Sequence, residues 1–88
     1  MVNEGEDIMA IKIRLLFFGP LADSMGQREI EVALNKGTSI MQLLKRFQLS
    51  DIVNNGTKIA INSEIIDNFD FILMDSSEIA FLPPFSGG

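Results

Sequence analysis

From Ala10 the chain alternates. Ile11, Ile13, Leu15 and Phe17 take every second position and Lys12, Arg14, Leu16 and Phe18 the positions between, which is the period of a strand with one buried face. The opposite face changes character half-way, charged at Lys12 and Arg14 and apolar at Leu16 and Phe18. Leu16 and Phe18 are therefore predicted to be surface used by something else. Gly19-Pro20 ends the strand, and residues 21–26 make a short connection with room for one helical turn. Residues 27–34 alternate again, with Ile30, Val32 and Leu34 inward and Glu29 and Glu31 outward, completing a hairpin. After a turn at Asn35-Lys36-Gly37, Thr38 or Ser39 is placed to cap a helix by accepting from its free N–H groups. In that helix Ile40, Leu43, Leu44 and Phe47 fall at i, i+3, i+4 and i+7, an apolar stripe predicted to be core. Residues 48–56 are polar, close on Asn54-Asn55-Gly56 and are predicted to be a loop.

The second half repeats the strand period in shorter pieces. Residues 58–61 form a short strand that turns at Asn62-Ser63 into another at 64–66; a type I′ turn prefers glycine where Ser63 stands. Residues 67–77 are a longer connection with Phe69, Phe71, Ile72 and Leu73 available to pack. The last strand, 78–82, is stopped by Pro83-Pro84, which donate nothing to a ladder. The division that follows is an unpacked, disordered extension at 1–9 carrying Glu4, Glu6 and Asp7, a folded unit at 10–84, and a flexible functional tail at 85–88. Met9 is a candidate original start. There is no internal repeat.

Strand, strand, helix, strand, short strand, strand gives an α+β unit, a mixed sheet of four to five strands with one main helix on one face. A hairpin, a crossover helix and a final strand returning beside the first resembles the ubiquitin-like β-grasp arrangement. The strand order comes from that resemblance, not from periodicity.

Composition narrows the chemistry. With 88 residues and 47% hydrophobic content, one core is expected, burying about 60–65% of the unfolded surface. No run of about 18 apolar residues and no signal-like start is present, so the expectation is a cytoplasmic protein with no membrane partner. Cysteine and histidine are absent, which excludes disulfides, thiol nucleophiles, Cys/His zinc sites and the usual neutral-pH general base. Seven basic against twelve acidic residues leave a net charge of -5, so no nucleic acid is expected as partner. An acidic surface suits a partner whose own face is basic. Glu29, Glu31, Glu64, Asp67 and Asp70 lack metal-loop spacing and are read as solvated, as are Lys12 and Arg14, and no metal or bound cofactor is expected. Most of the seven phenylalanines are expected in the core, with Phe18 and Phe85 left for contacts.

The end of the chain carries the chemistry. A strand, a diproline stop and Phe85-Ser86-Gly87-Gly88 follow in succession. Gly87 and Gly88 have no Cβ and fit a channel too narrow for other residues, and four extended residues reach about 13 Å. In a chain without cysteine, the group open to activation and loading is an acyl group, and the C-terminal carboxylate of Gly88 is the least hindered. Activated as an acyl adenylate and attacked by a sulfur donor, it becomes a thiocarboxylate, a nucleophile that needs no neighbouring base. A Gly-Gly end by itself is often only a frayed terminus.

The octet Phe81-Leu82-Pro83-Pro84-Phe85-Ser86-Gly87-Gly88 resembles the C-terminal signature of the small subunit of molybdopterin synthase, the MoaD family. The run Ile11 to Phe18, Ile59-Ala60-Ile61-Asn62 before a turn, and Glu78-Ile79-Ala80-Phe81 are similar to that family's landmarks in order, so the resemblance spans about residues 10–88. It implies that Gly88 is adenylated by a MoeB-like activating enzyme that uses ATP, is converted to a thiocarboxylate, and enters the large synthase subunit to donate sulfur to precursor Z. It also implies that Phe18, Ile65 and Leu82 form the hydrophobic face that meets the partner, with Gly87, Ser86 and Phe85 in the tail. The chain departs from the family pattern at Asn62-Ser63, at Asp75-Ser76-Ser77-Glu78 and at Phe85. Other functions share these features: the sulfur carrier of thiazole synthesis, a ubiquitin-like protein modifier, or an interaction module in which Leu16, Phe18 and Leu82 bind a partner and the tail is idle.

Overall fold

The last strand of the sequence is the middle strand of the sheet. A computed structural model describes residues 10–84; the extension expected at 1–9 and the tail at 85–88 lie outside the described residues. The strands β1 (Ala10–Phe17), β2 (Glu29–Asn35), β3 (Lys58–Ile61), β4 (Glu64–Ile66) and β5 (Glu78–Leu82) form one sheet in the order β2-β1-β5-β3-β4. β1 runs antiparallel to β2 and parallel to β5, and β3 runs antiparallel to both β5 and β4. Two hairpins are thus joined through β5, the mixed sheet of the β-grasp fold. Parallel pairing of β1 with β5 needs a long crossover, and the intervening helices supply it. They are α1 (Pro20–Met25), α2 (Ile40–Arg46) and α3 (Ser50–Asn54).

One face of the sheet holds the core. Ile11, Ile13, Leu15 and Phe17 of β1, Ile59 and Ile61 of β3, and Ile79 and Phe81 of β5 pack with Ile40, Leu43 and Leu44 of α2. Phe17 and Phe81 are paired across the β1–β5 ladder and stack with ring centroids 5.2 Å apart. α2 is set by a capping box. Ser39 Oγ accepts from the Gln42 N–H at 3.2 Å, and Gln42 Oε1 accepts from the Ser39 N–H at 2.9 Å. Two otherwise orphaned donors are satisfied reciprocally.

Three expectations are corrected here. Phe47 is not core: it caps the C-terminus of α2 and is exposed. Gln48, at φ 57, takes the left-handed conformation and reverses the chain, so that the Leu49 N–H donates to Leu44 O at 2.7 Å and Leu49 takes the buried place. Residues 48–56 are not all loop, because α3 lies within them and Ile52 and Val53 pack against the core. Nor are most phenylalanines buried. Of the six described, Phe17 and Phe81 are buried and Phe69 half-buried, while Phe18, Phe47 and Phe71 are exposed. The connection before β5 docks on the start of α2 largely through its main chain. Phe71 O accepts from the Ile40 N–H at 3.0 Å and Phe69 O from the Met41 N–H at 2.9 Å. Only Leu73 is driven fully inward, leaving Phe71 and Ile72 outside.

The turn at Asn62-Ser63 has both residues at positive φ, 49 and 76, as a type I′ turn requires, although neither is glycine. Asn62 ties it to β5: its N–H donates to Glu78 O at 2.8 Å and its Oδ1 accepts from the Glu78 N–H at 2.9 Å. Ser63 has no such side-chain compensation among the described hydrogen bonds. A left-handed serine costs about 1–2 kcal/mol, partly offset by the unfolded-state entropy that glycine adds. Ser63→Gly is therefore expected to stabilise the domain by about 0.5–1 kcal/mol, seen as a rise of a few degrees in a circular-dichroism melt. An unchanged or lower Tm would show that the turn is not strained.

Candidate functional site: the outer sheet face and the root of the tail

Burying alternate residues leaves the others on the opposite face, and the register arranges them in rows. Leu16, Ala80, Ala60 and Ile65 stand in line across β1, β5, β3 and β4. Leu82 lies opposite Lys58 in the next row, and Phe18 is two residues beyond Leu16. In the other direction Arg14 stands between Glu31 and Glu78. Its guanidinium joins two carboxylates, Nε to Glu29 Oε2 at 3.1 Å and Nη1 to Glu78 Oε2 at 2.9 Å. Exposed pairs of this kind add little stability. The change of character read along β1 is repeated along β5, from Glu78 to Leu82, but the flanking strands keep Glu29 opposite Leu16 and Lys58 opposite Leu82.

The apolar half lies where β1 and β5, being parallel, both end. Residues 85–88 follow from that same end, so the patch and the root of the tail are neighbours. Phe18 is 45% and Ile65 59% exposed, while Leu82 is half-buried. All three residues expected to meet a partner therefore belong to the outer face. Between them Ala60 is buried and Ala80 half-buried, small side chains that keep the middle of this row low. Sequence reasoning passed over these alanines. The signal available was their outward position in strands otherwise built from large residues. Beside Phe18, a groove lined in part by Leu16, Ala22, Asp23 and Arg28 extends the patch toward α1.

Pro83 is half-buried and Pro84 exposed, directly after the last ladder pair, Lys58 with Leu82. Phe85, Ser86, Gly87 and Gly88 lie outside the described residues. Among the described residues, no group of three acidic side chains is placed to hold a metal, and no helix is long and apolar enough to cross a membrane.

A family model described as the ThiS family matches residues 15–88, from the core of β1 to the terminal glycine. The chain belongs to the ThiS family. Solved structures share the fold. A chain of the complex of subunits 1 and 2 of molybdopterin-converting factor from Helicobacter pylori is similar, with 27% identity and a TM-score of 0.66, over 89% of this chain and 100% of that one. SAMP1 from Haloferax volcanii has 18% identity and a TM-score of 0.70, over 88% and 99%. A Pyrococcus furiosus protein designated molybdopterin converting factor, subunit 1, has 18% identity and a TM-score of 0.72, over 85% and 99%. No protein among those with curated functions matches in sequence. This ThiS-family chain is accordingly a β-grasp protein of the ThiS/MoaD sulfur-carrier kind.

Proposed function

We propose that this protein is the sulfur-carrying small subunit of a molybdopterin synthase, with Gly88 as the loaded residue. The observation that carries the reading is an apolar outer patch at the end of the sheet from which a Pro-Pro, Gly-Gly tail continues. A docking face and a probe at the same end let a partner bind the one while it receives the other. The H. pylori neighbour, described as a complex of two subunits, supports a large-subunit partner. In the first step a carboxylate oxygen of Gly88 attacks the α-phosphorus of ATP on a MoeB-like activating enzyme, and pyrophosphate leaves. A donor supplying sulfur at the sulfide level then displaces AMP from the acyl carbon, leaving a thiocarboxylate that attacks precursor Z inside the large subunit. The protein binds no cofactor of its own, and ATP belongs to the activating enzyme. The setting we propose is the cytoplasm.

Intact-mass analysis after incubation with ATP, the activating enzyme and a sulfur source is expected to give one oxygen-for-sulfur exchange, located at Gly88. No exchange with a competent activating enzyme would remove the carrier reading. The likeness to SAMP1, described for another archaeal relative as a small archaeal modifier protein, favours a second reading, in which the activated glycine is passed to lysines. Conjugates on lysine in the same incubation, with no thiocarboxylate, would select it.

The docking face gives a separate test. Phe18→Asp and Ile65→Asp place a charge on surface that is already exposed, so stability should change by no more than about 0.5 kcal/mol. Affinity for the large subunit, by titration calorimetry, is expected to fall about 30-fold, the effect of losing a contact worth about 2 kcal/mol. An unchanged Kd would place the partner elsewhere.

A further inference from the structure

Four large apolar side chains are exposed together at the end of the sheet away from the outer patch. Met41, Phe71, Ile72 and Met74 are 38, 41, 50 and 66% exposed. They sit on two pieces of chain that are bonded to each other: Ile72 bridges Ser39, Phe71 O accepts from the Ile40 N–H, and the Leu73 N–H donates to Thr38 O at 2.9 Å. Within residues 70–76 only Leu73 is buried, so the core does not need apolar residues at 71, 72 and 74. The segment then passes beside the start of β1, where Asp75 Oδ1 accepts from the Lys12 N–H and the Ser76 N–H donates to Lys12 O, each at 2.8 Å. β1 and β5 are parallel, so this second patch lies where both begin and the outer patch where both finish. Exposed apolar surface concentrated in this way marks an interaction site.

We propose that this patch is an interface between two copies of the chain related by a two-fold axis. Charge selects the occupant. Lys36 stands two residues before Thr38, Asp70 and Asp75 bracket the apolar run, and Lys12 is bonded to Asp75 through its main chain. All four are exposed, and none is in an ion pair among the described residues. Two positive and two negative groups thus border the patch, in a chain whose net charge is -5. A partner of uniform charge gains nothing from such a border, whereas a second copy turned by 180° can set each sign against its opposite. The area agrees: at about 200 Å² for a large side chain, the four leave roughly 400 Å² of apolar surface open on each copy. An interface about three-fifths apolar would then cover roughly 1,300 Å² over the pair, the low end of specific contacts, so the dimer is weak. The contact includes neither the outer patch nor the tail, and it stands independently of the carrier reading.

Sedimentation equilibrium of the full chain from about 1 μM to about 1 mM is expected to show a reversible dimer, the mean mass rising toward twice that of one chain. Ile72→Asp and Met74→Asp place a charge inside the contact and should each raise the dimer Kd at least about tenfold. Both sites are exposed in the single chain, so Tm measured in dilute solution should stay within about 4 °C of the parent. Phe47→Asp, which removes an exposed phenylalanine outside the patch, should dimerise as the parent does. A parent that stays monomeric throughout would leave the patch to a different protein and overturn the proposal. So would a dimer that Ile72→Asp and Met74→Asp do not weaken, or one that Phe47→Asp weakens equally. A monomeric parent in which Met74→Asp lowers Tm by more than that margin would show that other residues of the same chain cover the patch, which overturns it as well. None of these outcomes touches the loading of Gly88.

Discussion

Deleting Gly88 is expected to abolish loading while leaving the protein folded and able to bind. The shortened chain still ends in a glycine carboxylate, so the acyl chemistry itself is unchanged. What changes is reach: the carboxylate is withdrawn by one extended residue, about 3.3 Å, from the position an activating enzyme reads. A displacement several times larger than the tolerance of an in-line attack should lower the rate of oxygen-for-sulfur exchange by at least about 100-fold. Binding to the large subunit should persist, because Phe18, Ile65 and Leu82 belong to strands and turns that the deletion does not touch. Mass spectrometry for exchange and calorimetry for binding separate the possibilities. Full exchange in the truncated chain would show that the terminus is not read by position. If the deletion altered neither synthase activity nor binding, the interaction module with an idle tail would be the better description.

Phe81→Ala is expected to cost about 3–5 kcal/mol, the usual range for removing a fully buried aromatic ring. The residue sits on the central strand at 0% exposure, in register with Phe17 on one side and Ile59 on the other. The cavity therefore opens between both hairpins and not at an edge where the chain could collapse into it. A domain of this length has about 4–13 kcal/mol in total, so the variant should be barely folded. Its urea midpoint should drop accordingly, or it should show no cooperative transition. Leu82→Ala, one residue away but on the outer face and only half-buried, should cost far less. Similar losses for the two would mean that the sheet is not packed on one side only.

The contrast between Phe81 and Leu82 was legible in the alternation, as were the strands and the cap of α2. Period-two burial is a local consequence of the pleat and needs no knowledge of the partner strand. The cap was expected at Thr38 or Ser39; the structure places it at Ser39, with Gln42 closing a capping box that the sequence reading did not name. The helix at Ser50–Asn54 was hidden because its two apolar residues, Ile52 and Val53, are surrounded by polar ones in a segment too short to show a period. Phe47 was misjudged because its spacing is right for the stripe. Its exposure depends on Gln48 turning the chain one residue later.

By itself the sequence determined the five strands, the helix after Ser39, the inward sets of β1 and β2 and the tail octet, because these follow from periodicity, capping and residue chemistry within a few positions. Only the tertiary structure decided that Leu16, Ala80, Ala60 and Ile65 form one row. Leu16 is 44 or more positions from the other three, and what joins it to them is the central place of β5. Strand order is set by long-range pairing and crossover geometry, which no local pattern of side chains encodes.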